Sequence, residues 1–190
     1  MKLNLFTPES NPMNLYDAQQ DMRHAYYGGA IGILVSAVAW YAAAAVAVLM
    51  SVQNAVWALF IGGMLIHPVS VLLCKVLGRT GKHSPNNPLG GLAIASTFWL
   101  IFSLPMAYVV SLHRIELFFP AMMLIIGGRY LTFATLYGTR IYWLCGMALA
   151  LSAYGLASQN AKVIYGVLTG ALIETLFGAI ILWQERKQQI

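Results

Sequence analysis

The chain has 190 residues, of which 59% are apolar or aromatic and only 9% charged, with a mean hydropathy of +0.71. Soluble domains carry about 25% charged residues, so this composition excludes an ordinary water-soluble fold and points to the lipid bilayer as solvent and partner. The net charge of +5 reads as membrane topology plus attraction to anionic headgroups, not as a nucleic-acid surface.

Residues 1–27 form a polar tail with Pro8 and Pro12 and without the continuous apolar stretch of a cleavable signal peptide. Within it Leu15, Ala18, Met22 and Ala25/Tyr26 recur every three to four residues between Asp17, Gln20, Asp21 and His24. This spacing predicts a short amphipathic helix on the inner membrane surface, with a frayed tail as the alternative. Six apolar runs follow, at 28–50, 55–76, 89–110, 117–137, 141–158 and 163–183. Each is long enough to cross a hydrocarbon core of about 30 Å as a helix. The predicted fold class is therefore all-α: a polytopic membrane protein whose six transmembrane helices occupy 28–184, followed by a basic tail over 185–190. Nothing is left over for a soluble catalytic or nucleotide-binding domain.

The one long connection, Gly78 to Asn87, is rich in Gly, Pro, Asn and basic residues and ends in Asn87-Pro88, an N-cap followed by proline at the first helical position. On either side of it, GGMLIHPVSVLLCKVLGR and then NPLGGLAI, within residues 62–94, resemble a family of small bacterial six-helix inner-membrane proteins of unknown function. The resemblance implies a multi-pass protein of the bacterial inner membrane and no particular chemistry. Lys and Arg counts set the expected orientation. Lys2, Arg23, Lys75, Arg79, Lys82, Arg140, Arg186 and Lys187 fall on one side, and Arg114 and Lys162 on the other. The richer side is cytoplasmic, which puts both termini there. Trp57, Tyr108, Tyr142, Trp143 and Trp183 lie near span ends, where interfacial anchors are expected. Cys74 and Cys145 read as small packing residues, and no Cys/His spacing suits a metal.

An ionisable side chain at mid-membrane costs about 2.5–3.5 kcal/mol on insertion scales, so each needs a partner or a use. This chain has three: His67, Arg129 and Glu174, on the second, fourth and sixth spans. Each sits about 18 Å from the outer edge at 1.5 Å per residue. Gly166, Gly170, Glu174 and Gly178 share one helix face, as do Gly63, His67, Ser70 and Cys74. Gly28, Gly32 and Ser36 repeat the small-residue row on the first span, and these rows predict close helix packing or a homo-oligomer seam. Pro68 predicts a kink beside His67, while Thr132 and its neighbours offer hydroxyls to Arg129. Paired glycines at 28–29, 62–63, 90–91 and 127–128 form a weak internal repeat. It suggests three tandem hairpins that would bring His67, Arg129 and Glu174 together.

Three function classes fit unequally. A small transporter or channel for a polar or ionic solute leads, with Glu174 carrying a proton or cation, Arg129 tuning it or holding an anion, His67 relaying protons, and Ser70 and Thr132 along the path. A non-enzymatic scaffold or accessory subunit, in which an Arg129–Glu174 ion pair only fixes helix order, is the alternative. An intramembrane enzyme ranks last. There is a single mid-membrane carboxylate, no HExxH and no histidine cluster, so no catalytic residue, cofactor or metal is assigned.

Overall fold

The computed structural model describes residues 13–187. The prolines at 8 and 12, Lys2 and the last three residues of the basic tail lie outside the described residues. Seven α-helices run as α1 (Leu15–Tyr26), α2 (Ala30–Leu49), α3 (Val52–Val76), α4 (Leu89–His113), α5 (Phe118–Tyr137), α6 (Ile141–Ser158) and α7 (Val163–Lys187). Single 3-10 turns at Tyr27–Gly29 and Ile115–Leu117 join α1 to α2 and α4 to α5. The six helical stretches that contain α2 to α7 are long and apolar enough to cross a membrane. The 25-residue helices α3, α4 and α7 are about 37 Å long.

Local chemistry sets the helix starts. Asn14 Oδ1 accepts from the Asp17 N–H at 2.9 Å and caps α1, and Ser51 Oγ accepts from the Asn54 N–H at 3.1 Å and caps α3. Asn87 Oδ1 accepts from the Leu89 N–H at 2.9 Å, so the Asn87-Pro88 signal does start α4. Between α1 and α2, Tyr27, Gly28 and Gly29 all have positive φ, at 51°, 57° and 84°. Three left-handed residues in a row fold α1 back onto the bundle.

Neighbouring helices form an open arc in the order α3, α2, α7, α6, α5, α4, with α5 also touching α7 across the inside. α3 and α4 are the ends of the arc, and only 11% of the apolar window of each is buried, against 39% for α7. Rings join them at the end of the bundle remote from α1: Trp57 and Phe60 of α3 lie 5.7 Å and 6.3 Å from Tyr108 of α4, and Phe60 lies 5.2 Å from Phe118 of α5. α1 covers the opposite end, with Ala18, Met22 and Ala25 buried.

Several expectations are corrected. Tyr142 is not an interfacial anchor. It is fully buried, stacks on Tyr137 and donates its hydroxyl to the Gly28 carbonyl. The glycine rows divide. Gly166 approaches Phe119, Gly170 lies against the Trp40 ring and Gly178 against Leu34, so a Cβ at any of them would come within 2.9–3.2 Å of a side chain. Gly32 and Gly63 would meet nothing within 4 Å, so no helix approaches there, and Gly28 serves the left-handed turn instead of a packing seam. Pro68 does lie inside α3, as the sequence places it. Cys74 and Cys145 are both buried free thiols.

Candidate polar site between α5 and α7

Glu174 is completely buried. The small residues Gly170 and Gly178 flank it on α7 and let α2 come close, which places Trp40 and Ser36 beside its carboxyl. Tyr130, the residue after Arg129, reaches across from α5 and donates its hydroxyl to Glu174 Oε1 at 2.7 Å. The second oxygen, Oε2, and the indole Nε1 of Trp40 are both buried and make no hydrogen bond of good geometry, although Trp40 and Ser36 lie close enough to the carboxyl to interact with it.

Arg129 sits behind Tyr130 and turns the other way. Its Nη2 donates to Thr97 Oγ1 of α4 at 3.2 Å, and its guanidinium carbon lies 5.1 Å above the Phe133 ring. Its Nε is buried and has no partner. Arg129 and Glu174 feel each other's charge, yet they form no ion pair, whereas Arg23 and Glu185 do, at 2.7 Å. Glu174 Oε2, Trp40 Nε1 and Arg129 Nε are the buried side-chain polar atoms left without a partner among the described residues, and all three belong to this one site. Buried polar atoms are otherwise almost always paired, because desolvation without a hydrogen bond costs about 1–3 kcal/mol.

His67 is not brought into contact with either group. Among the described residues no hydrogen bond or ion pair involves its ring, and its helix α3 packs mainly on α2, meeting α5 only through Phe60 on Phe118 at the far end. Its position is still informative. Phe60, Gly63, His67 and Cys74 lie on one face of α3 by their spacing of three, four and seven. At one end of that face Phe60 packs on Tyr108 and Phe118, and at the other Cys74 is buried beside Tyr27 and Ile31. Between them Gly63 and His67 are exposed. The face is thus sealed at both ends and open in the middle, where α3 and α4 part. Thr97, the partner of Arg129, is exposed on α4. His67 lies nine residues from the α1-side end of its helix, and Thr97 and Arg129 eight residues from theirs, so all three sit about 12–14 Å in from that end.

Ser70 and Thr132 do not reach the charged groups. Each hydroxyl donates to the carbonyl three residues before it, at 2.9 Å to His67 and at 2.7 Å to Arg129. The residues that do surround the charges are Ser36, Trp40, Thr97, Tyr130 and Phe133. The helix face carrying Ser36 and Trp40 is visible in the sequence, but its pairing with α7 is not. No cluster of His, Cys, Asp or Glu among the described residues could hold a metal ion.

A second polar network ties α1 down. Arg23 donates through Nε and Nη2 to Glu185 Oε1 of α7, at 2.9 Å and 2.7 Å. Asp21 accepts from the Ser84 backbone N–H at 2.9 Å and from Asn87 Nδ2 at 2.8 Å. Tyr26 meets His83 at 3.0 Å, and Arg79 bonds His24 at 2.6 Å and lies over the Tyr27 ring. Partial burial pushes the Asp21 carboxyl up, but the hydrogen bonds from Asn87 and Ser84 outweigh it and hold the group below the usual carboxylate range.

Residues 15–185 match the sequence profile of DUF7010, a family of unknown function. The chain belongs to this family. The match takes in α1, the arc and both polar networks of this DUF7010 protein, well beyond the stretch 62–94 that carried the sequence resemblance. No curated protein and no solved structure matches it.

Proposed function

We propose that this DUF7010 protein is a small multi-pass transporter of the bacterial inner membrane, with both termini cytoplasmic, that binds a polar or ionic solute at the Arg129–Glu174 site. The observation that carries this reading is the set of three unpartnered buried atoms, two donors and one carboxylate oxygen, gathered around one acid and one base. A structural ion pair would satisfy its own members. Here the acid and the base stay apart, each with an open valence, in the middle of helices long enough to span a bilayer. Glu174 takes up and releases a proton or cation, Tyr130 orients the carboxyl, and Arg129 holds an anionic group. The positive count on the α1 side supports the orientation, and the arc built from neighbouring hairpins supports the three-hairpin organisation.

The test is proton flux in liposomes under an imposed pH gradient and membrane potential, with candidate solutes added in turn. Flux through wild type that is lost in Glu174→Gln, with both proteins inserted and monodisperse, is the expected result. Equal flux in the two, or none with any solute, overturns the reading. A scaffold or homo-oligomer subunit then becomes the better description, drawing on the broad apolar faces of α3 and α4 such as Met64 and Phe102, 75% and 73% exposed.

A further inference from the structure

We propose that the solute of this site is a lipid-borne monoanion, a carboxylate on a long apolar tail, which enters sideways from the bilayer through the gap between α3 and α4. The inference takes the Arg129–Glu174 site of the preceding reading as its binding site and names the class of molecule it receives.

Three observations carry it. The first is the shape of the gap. Rings of Phe60, Tyr108 and Phe118 close it at the far end, while Cys74 is buried at the α1 end, where Asn87 bonds α1 through Ala18 and Asp21. Between these seals Gly63, His67 and Thr97 are exposed, and a Cβ at Gly63 would meet only open space. At 12–14 Å of depth an opening on the side of a bundle faces hydrocarbon, so what reaches it most readily is a molecule already dissolved in the bilayer.

The second is the chemistry at the back of the gap. Thr97 holds one Nη of Arg129, and Nε is left buried and unpartnered. The free Nε–H, with the guanidinium N–H donors that Thr97 does not engage, can bond the oxygens of a carboxylate. The third is charge. With Glu174 close by, a single negative charge on the guest can be balanced by Arg129, whereas a phosphate dianion would add like-charge repulsion. The tail then lies in the gap along Gly63 and the exposed Met64 of α3 and Ile101 of α4.

The experiment uses the full chain in phosphatidylcholine nanodiscs with a long-chain fatty acid that carries a diazirine in its tail. After photolysis, labelled residues are mapped by mass spectrometry. The expected result is saturable labelling concentrated between 60 and 70 on α3 and between 94 and 104 on α4. It is displaced by palmitate but not by millimolar acetate or phosphate, and its apparent affinity falls about tenfold or more in Arg129→Gln. Gly63→Phe, which plugs the gap without touching the charges, gives the same loss, and Arg129→Lys recovers part of it. Labelling spread evenly over the outer surface, or unchanged in both Arg129→Gln and Gly63→Phe, overturns the proposal. Displacement by acetate or phosphate as effective as by palmitate also overturns it, and assigns the site to a water-borne anion. The flux measurement with Glu174→Gln separates the two readings. Labelling without flux keeps the lipid-anion site and removes transport, and flux without labelling does the reverse.

Discussion

Two regions of this molecule treat polar side chains in opposite ways. At the α1 end Arg23, Asp21, His24, Tyr26, Arg79, His83, Ser84, Asn87 and Glu185 all find protein partners, and a fully buried Tyr142 bonds the backbone of the turn that folds α1 over. Roughly 12–20 Å further in, Arg129, Glu174 and Trp40 each keep a buried atom without one. Such network completeness at the first region is what a structural clasp needs, since every donor withdrawn from water is repaid by an acceptor. Incompleteness at the second does not help stability, and it is this contrast that motivates the functional reading proposed above. The difference teaches that a membrane protein's polar residues should be sorted by whether their valences close within the protein, not by burial alone.

The comparison can be broken or sharpened by substitution, starting with the clasp. At Gly29 φ is +84° and a Cβ would stand 2.7 Å from the Tyr137 ring, so Gly29→Ala combines left-handed strain with overpacking. It should cost roughly 2–5 kcal/mol in a reversible unfolding titration in mixed micelles. Glu185→Gln removes the charge that two Arg23 nitrogens share and should cost about 1.5–3 kcal/mol on the same scale. If it proves neutral, the α1 clasp is not the stabilising region described here.

At the site, Tyr130→Phe withdraws the hydroxyl that bonds Glu174 Oε1 at 2.7 Å and should cost about 1–3 kcal/mol. In the liposome assay it should also slow flux while Arg129→Gln changes solute affinity, a division that a purely structural cluster would not produce. The adjacent glycines give the cleanest contrast. Gly62→Ala drives a methyl to 2.8 Å from the Ala39 Cβ and should destabilise by about 1–3 kcal/mol. Gly63→Ala meets open space and should stabilise by about 0.8–1 kcal/mol through helix propensity. Similar losses at both positions would mean that the gap is filled by protein.

The smallest effect is on pH. Asp21 sits below its usual 3.8, so its charge helps dock α1 at any pH above that value, and the help is lost as pH falls through the lower folded value. Exchange of α1 amides, corrected for intrinsic rate, should accelerate in wild type only once the pH falls below 3.8. Asp21→Asn should show no such step.

Much of the fold can be read from the sequence because bilayer-spanning helices obey rules of length and composition that need no partner. The spans around His67, Arg129 and Glu174, the Asn87-Pro88 start of α4, and the reduced, buried cysteines all follow from local chemistry. The candidate site was half legible. Its acid and its base stand out as charges where charge is expensive, and family membership over 15–185 agrees with the resemblance seen over a shorter stretch. What a sequence leaves open depends on neighbours. The hydroxyls of Thr132 and Ser70 bond carbonyls of their own helices, and Gly32 and Gly63, in rows that predict packing, face open space. A small residue leaves the same trace in a sequence whether another backbone or nothing at all lies against it.

The sequence by itself determined that the chain makes six apolar helices and that three of them carry an ionisable group, because hydropathy and periodicity act within a segment. Only the tertiary structure decided that Glu174 takes its hydrogen bond from Tyr130, that Arg129 turns to Thr97 and not to the carboxylate, and that His67 stands at the mouth of a gap. Those outcomes depend on which helix faces which. Helix order in an arc is set by the shape and spacing of side chains from distant segments, such as Gly170 against Trp40, and no property of one segment contains it.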